Sequence, residues 1–353
     1  MSYLPTAWNA PRLTVHRAGR WGLTIAAVGF VLLIFGLLGR GPPTAHNFTP
    51  AGLTDNDSNS SLSSMPADFP APTPTAACPR IRIRRSITRM NSTERRRFLA
   101  AHRRLNDPRS SRPNRFDHLV AHHGQHHDFI HEGAPIFPWH RVFIRDYEAA
   151  LQVIDPAVTL PYWDWSEHGL YPETSPVFQG GSDWFGGNGA GPHHCVPDGA
   201  LADLPVFYTE EKTFPAGQAP CLRRQFDKAN GTMSTWFEDV AIRRWLRAAD
   251  NYTEFREAIE PPHWLVHTSL AGDMNTRYAP NDALFFLHHA YIDKLWNDWM
   301  AMDPSGKRYS EYNGQLKDGS PAAPTDIIRG YDQIRVVDVI DSTANPRLCY
   351  VYA

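Results

Sequence analysis

The sequence carries no surplus of charge of either sign: 35 Lys and Arg stand against 37 Asp and Glu, a formal −2. That balance argues against a nucleic-acid binder, and no nucleic acid is expected as a partner. The arginine-crowded stretch from Arg80 to Arg115 is interleaved with Glu94 and Phe98 in the manner of a solvated amphipathic helix, so it reads as surface. No internal repeat is evident, so a repeat array is not expected. Cysteine is scarce, with four in 353 residues, and long apolar runs are scarcer still, with one. Aromatic residues, by contrast, are plentiful, including 11 Trp and 18 Phe, and the length suffices for one large domain or two small ones.

The one apolar run, WGLTIAAVGFVLLIFGLLG, extends over 19 uncharged residues from Trp21 to Gly39 and is bounded by Arg20 and Arg40. As a helix it would span about 28 Å, close to the ~30 Å hydrocarbon core of a bilayer. It exceeds the apolar region of an ordinary signal peptide, and GRGPPTAHNF after it offers a poor cleavage site. The expectation is therefore an uncleaved signal-anchor, with secretion after cleavage as the alternative. Arg12, Arg17 and Arg20 before the span place residues 1–20 in the cytoplasm and the rest across the membrane. Six glycosylation sequons, at Asn47, Asn56, Asn59, Asn91, Asn230 and Asn251, all follow the run. So do the four cysteines, which would meet an oxidising compartment there. Four cysteines allow three pairings; the expected one joins Cys195 to Cys221 within a loop-rich insert and Cys78 to Cys349 across the ends of the domain.

Residues 40–77 are rich in Pro, Ser, Thr and Asn and read as a disordered stalk. The folded domain is expected over 78–353, mainly helical, with long loops and minor short β-strands. Helices are expected over Ser92–Leu105, Phe116–His131, Phe143–Ile154, Phe237–Ile259, Pro262–Leu270 and Ala283–Met302. Pro135 and Pro138 predict a break before Phe143, residues 169–220 a long irregular insert, and IRVVDVI and LCYVY short strands near the C-terminus.

Of 17 histidines, seven lie between His118 and His140. His123, His131 and His140 are spaced by 8 and 9 residues, and the first interval is about two helical turns. In a second block His263 and His267 stand at i, i+4, and His289 follows from a later helix with Asp293 one turn on. An isolated histidine is ordinarily a core or surface residue, which covers His16, His46, His102, His118, His168, His193 and His194. Two triplets on paired helices point instead to two imidazole-rich metal centres suited to copper, zinc, iron or nickel. A zinc-protease site is disfavoured because His263-Trp-Leu-Val-His267 lacks the glutamate of HExxH.

HEGAPIFPWHR, PYWDW, AGDM, NDALFFLHHAYIDKLW and LCYVY, in that order, resemble the tyrosinase, catechol oxidase and mollusc-type haemocyanin family of dinuclear copper proteins, particularly its short fungal members. The resemblance covers roughly residues 78–353 and implies an antiparallel four-helix bundle around two copper ions, with O₂ as co-substrate. It implies His123, His131 and His140 as ligands of one copper and His263, His267 and His289 as ligands of the other. His122, His126, His127 and His288 are then non-ligands. Asp293 becomes the carboxylate that orients a ligand imidazole, and Phe285 packs against the site. Oxidation of o-diphenols to o-quinones is the implied reaction, on a small phenolic or tyrosyl-containing substrate. Ortho-hydroxylation of monophenols is a further activity of many members. Those members often have Asn after the first ligand of the second copper, where this chain has Trp264. Glu260 is the nearby acid that would hold a phenol-deprotonating water. No cysteine lies in the first block, so the Cys–His thioether of some members cannot form. The alternatives are a haemocyanin-like reversible O₂ carrier and a copper-free partner protein.

Overall fold

The structure, a computed structural model, describes residues 78–202, 204–210 and 220–353. The expected anchor, the stalk and the sequons at Asn47, Asn56 and Asn59 lie outside the described residues. Among the described residues no helix is long and apolar enough to cross a membrane. These residues form six α-helices and two three-residue strands, so the mainly helical expectation holds for them.

Strand β1 (Arg82–Arg84) is followed by helices α1 (Ser92–Leu105), α2 (Arg115–Ile130) and α3 (Ile136–Ile154). After the insert come α4 (Asp239–Ala248), α5 (Tyr252–Leu270) and α6 (Ala283–Ala301), and strand β2 (Tyr350–Tyr352) closes the chain. Local sequence sets most of the starts. Asn91 with Glu94, and Asn114 with Asp117, form reciprocal capping boxes at α1 and α2. Asn251 caps α5 through the Glu254 amide, and Asp282 caps α6 through Leu284.

Proline misled the expected boundaries twice. Helix α3 begins at Ile136 rather than Phe143, because Pro138 sits in its first turn, where a main-chain donor has no partner within the helix. Helix α5 runs through Pro261 and Pro262, and the break falls at residues 249–251 instead. There the Ala249 carbonyl accepts from Trp299 Nε1 and an Arg308 guanidinium nitrogen, both at 2.9 Å. Fully buried Tyr252, Phe255 and Ile259 on one side of the prolines, and Val266 and Leu270 on the other, hold α5 in the core. Packing outweighs the two lost donors. IRVVDVI also departs from expectation: Val336–Asp338 is a 3₁₀ turn, and only Tyr350–Tyr352 is a strand.

Strand β2 pairs in parallel with β1, Arg82 opposite Tyr350, and Cys78 is joined to Cys349 just beside the pair. The insert has 3₁₀ turns but no α-helix among its described residues and is stapled by Cys195–Cys221. It is pinned to the start of α6 by buried Arg224, which donates to both oxygens of Asp282 at 2.6 and 2.9 Å. The core between α3 and α6 is aromatic: Tyr147 stacks on Phe286 with centroids 3.6 Å apart, and Phe143 lies 5.6 Å from the same ring.

Candidate metal centre

Helices α2, α3, α5 and α6 deliver two groups of buried imidazoles. His123, His131 and His140 present nitrogens within 4.8 Å of one another, and so do His263, His267, His288 and His289. His123 rides on α2, His131 caps its end, and His140 follows one turn into α3. His263 and His267 are successive turns of α5, and His288 and His289 are neighbours on α6. The groups face each other: His140 and His289 stack at 4.0 Å between centroids and His131 and His263 at 6.1 Å. Phe285 stands among them, 5.0 Å from His123 and 4.2 Å from His289, and is fully buried.

Hydrogen bonds decide which nitrogen of each ring bears the proton. His123 Nδ1 donates to the Arg277 carbonyl at 2.7 Å, His131 Nδ1 to His127 at 2.8 Å and His140 Nδ1 to Ile136 at 2.6 Å. His267 Nδ1 donates to the Met274 carbonyl at 2.7 Å. A carbonyl only accepts, so each of these rings keeps its lone pair on Nε2. The Nε2 atoms of His123 and His140 are buried without a hydrogen-bond partner, and His263 has none at either nitrogen. His267 Nε2 and His289 Nε2 converge to 3.4 Å. Buried, partnerless acceptors aimed at one another are costly unless a cation fills the gap.

His288 differs. The Trp165 indole N–H, which can only donate, reaches His288 Nδ1 at 3.1 Å. The lone pair of His288 is thereby spent, its proton sits on Nε2, and it offers a metal nothing. The chemistry of the donor set, two groups of three neutral imidazoles without a carboxylate, fits a pair of copper ions.

Burial drives the titration of these rings far down, chiefly by desolvation. It holds His140 at about 3 and His267 at about 4, and pushes His123, His131, His263 and His289 well below the usual histidine range. All six are therefore neutral at pH 7 with lone pairs free. A cavity of about 230 Å³ opens beside them, its wall including His123, His127, His131, Trp264 and His267. His127, a non-ligand by expectation, lines this cavity and donates Nδ1 to Asp128 at 3.2 Å. At the mouth the Arg277 guanidinium lies 3.3 Å from Glu210 and 3.8 Å from Asp128.

Two expected roles change. Asp293 hydrogen-bonds no imidazole among the described residues: Oδ1 accepts from Arg141 Nε at 2.5 Å, and Oδ2 accepts from Tyr350 and Tyr352 hydroxyls at 2.6 and 2.7 Å. The guanidinium of Arg84, which bonds Glu148 at 2.7 Å, covers the Tyr350 ring at 3.5 Å. Asp293, one turn beyond His289, therefore ties β2 and α6 to α3 through Arg141, one residue beyond His140. Neither Arg141 nor Tyr350 was singled out from sequence, because their partners lie more than 50 residues away. Glu260 does not line the cavity. Its Oε1 accepts from the Glu132 amide at 2.9 Å, its Oε2 pairs with Arg256, and burial raises its pKa above the usual carboxylate value.

Among the sequons, Asn91 and Asn230 are exposed, whereas Asn251 is half-buried and spends its Nδ2, the atom a glycan would occupy, on Glu254 at 2.7 Å.

The profile of the common central domain of tyrosinase matches residues 113–302, more than half of the chain. The tyrosinase of Streptomyces antibioticus is 31% identical over 283 residues, which cover 70% of this chain and 98% of that protein. A tyrosinase of Aspergillus flavus is 30% identical over 295 residues, 78% of this chain and 80% of its own length. Among solved structures, a polyphenol oxidase from Thermothelomyces thermophila superposes with a TM-score of 0.66 at 24% identity, covering 77% of this chain and 89% of that one, a likeness of fold.

Proposed function

As a member of the tyrosinase family this chain is a tyrosinase-like copper oxidase, and we propose that it uses O₂ to oxidise o-diphenols to o-quinones. In this reading His123, His131 and His140 hold one copper, and His263, His267 and His289 hold the other. The observation that carries it is the two facing sets of buried, neutral imidazoles beside an open cavity. Copper, when bound, supplies the electron exchange with O₂ that no side chain can provide. Each diphenol gives up two electrons and two protons; two diphenols supply the four of each that convert one O₂ to two waters.

The side chains do the rest. The main-chain carbonyls of Arg277, His127, Ile136 and Met274 fix four rings with Nε2 inward. Phe285 fills the space between the groups and excludes water there. Trp264, 5.3 Å from both His131 and His263, offers an aromatic face to an entering phenol ring. Small phenols, including tyrosyl groups in a peptide or secondary-metabolite precursor, are the substrate class we favour. Anchoring by Trp21–Gly39, with the catalytic domain on the lumenal side and glycans at Asn91 and Asn230, completes the reading.

Oxygen uptake by the copper-loaded chain with a catechol and its matching monophenol, side by side, tests it. We expect brisk catechol oxidation and slow monophenol hydroxylation, with Trp264→Asn raising the second rate relative to the first. Reversible O₂ binding without catechol turnover would instead identify a carrier.

A further inference from the structure

The link between α2 and α3 carries the strain and the precision of the first cluster. His131 ends α2 with extended backbone, and Glu132 directly after it has φ +61°, a left-handed conformation that a non-glycine residue adopts at a cost. Such a bend persists only if its surroundings hold it. Its own side chain does little, since Glu132 is mostly exposed and its ion pair with Lys317 is long, at 3.8 Å.

One hold comes from Gln315, whose main-chain carbonyl accepts from the Ala134 amide at 2.9 Å, and the side-chain holds come from α5. Tyr252, Arg256 and Glu260 stand at i, i+4 and i+8, on one face of that helix. The Tyr252 hydroxyl donates to the Ala134 carbonyl at 2.5 Å, and Glu260 Oε1 accepts from the Glu132 amide at 2.9 Å. Arg256 pairs with the other oxygen of Glu260 and fixes the carboxylate's direction. Glu260 is 8% exposed, and removing its carboxylate takes from the Glu132 amide the acceptor it has in this bend. Three residues beyond Glu260 on the same helix is His263, whose ring stacks on His131 at 6.1 Å.

We propose that Glu260 is a positioning residue: by clamping the bend after His131 to the helix that bears His263, it sets the separation of the two histidine clusters. On this account its carboxylate carries no proton to or from the phenol. The assignment rests on the copper-pair reading above.

The test compares Glu260→Gln with Glu260→Ala in the full chain. Glutamine keeps an oxygen acceptor for the Glu132 amide; alanine removes it. In copper-free protein, amide exchange over residues 130–135 should be faster than native in the alanine variant and native-like in the glutamine variant, an outcome that does not depend on copper. In the copper(II)-loaded resting form, the native chain and Glu260→Gln should hold two magnetically coupled, EPR-silent coppers. In Glu260→Ala EPR-visible uncoupled copper should appear, and catechol kcat should fall roughly 10- to 100-fold, the usual scale for losing a group that orients a ligand. If Glu260→Ala does not fold, Glu260→Gln still decides the matter: native copper signature, native pH profile and an unchanged ratio of monophenol to catechol rates support the clamp. Loss of monophenol hydroxylation in Glu260→Gln with the copper pair intact would overturn it in favour of proton transfer. So would native exchange, or an EPR-silent pair, in Glu260→Ala. Absence of copper from the native chain would sink the copper reading alone, leaving the exchange measurement to judge the bend.

Discussion

In the first cluster all three imidazoles have Nδ1 tied to a main-chain carbonyl; in the second only His267 does, while His263 and His289 leave theirs without a partner. The first is thus oriented ring by ring, partly from within its own helices (His127, Ile136) and partly from a distant loop (Arg277). The second is oriented by packing: consecutive turns of α5, the buried first three turns of α6 (Ala283–Asp293), and the Phe285 and His140 rings against His289. It also contains a fourth histidine, whose exclusion rests on one indole hydrogen bond. A hydrogen bond fixes both ring orientation and tautomer, whereas packing fixes orientation alone. The first cluster should be the more selective of the two and the second the more easily altered.

The largest effect should come from removing one ligand on each side. His140→Ala and His289→Ala should each bring copper to one ion per chain and abolish catechol turnover, measured by metal analysis and oxygen uptake. The remaining copper should be held more tightly in His289→Ala, where the carbonyl-tethered cluster survives, by roughly 10- to 100-fold on dialysis against a chelator. Equal retention in both variants would erase the distinction.

A smaller effect should follow Trp165→Phe. Without the indole donor, His288 can move its proton to Nδ1 and present Nε2 to the second cluster. We expect added nitrogen hyperfine structure from that copper in the His140→Ala background, where it is the sole ion. An unchanged spectrum would mean that the backbone of α6, and not the tautomer, keeps His288 out.

His102 provides the smallest effect and isolates burial from metal binding. It belongs to neither cluster, hydrogen-bonds Tyr147 at 3.0 Å, and desolvation lowers its pKa to about 4. Between the unfolded value near 6.5 and about 4, the unfolded chain binds a proton that the folded chain refuses. Its contribution to stability is therefore intact above pH 6.5 and is lost as the pH falls toward 4. Denaturant unfolding of the copper-free chain at pH 4 to 7 should show a shallower decline for His102→Gln than for the native chain.

Much of this protein was legible in its residues. The helices with strong caps, the i, i+4 pair His263 and His267, the placement of His140 after a proline-rich turn and the family's motifs all depend on neighbours within a few residues. Such features survive reading in one dimension. The errors cluster where distant groups intervene: Pro261 and Pro262 lie within a helix because the core holds both its ends, and Ala249 breaks one because Trp299 and Arg308 take its carbonyl.

The same division holds at the metal centre. Which side chains could be donors was readable from the residues alone, since two sets of histidines at helical spacing, the second without the glutamate of HExxH, already pointed to imidazole-bound metal. Folding settles which nitrogen of each ring is free, that His288 is spoken for by Trp165, that Asp293 serves the C-terminal strand and that Glu260 meets the bend after His131. The reason is physical: where a side chain points along its own helix is set locally, but its proton and its hydrogen bonds are set by whichever donor or acceptor folding brings within 3 Å.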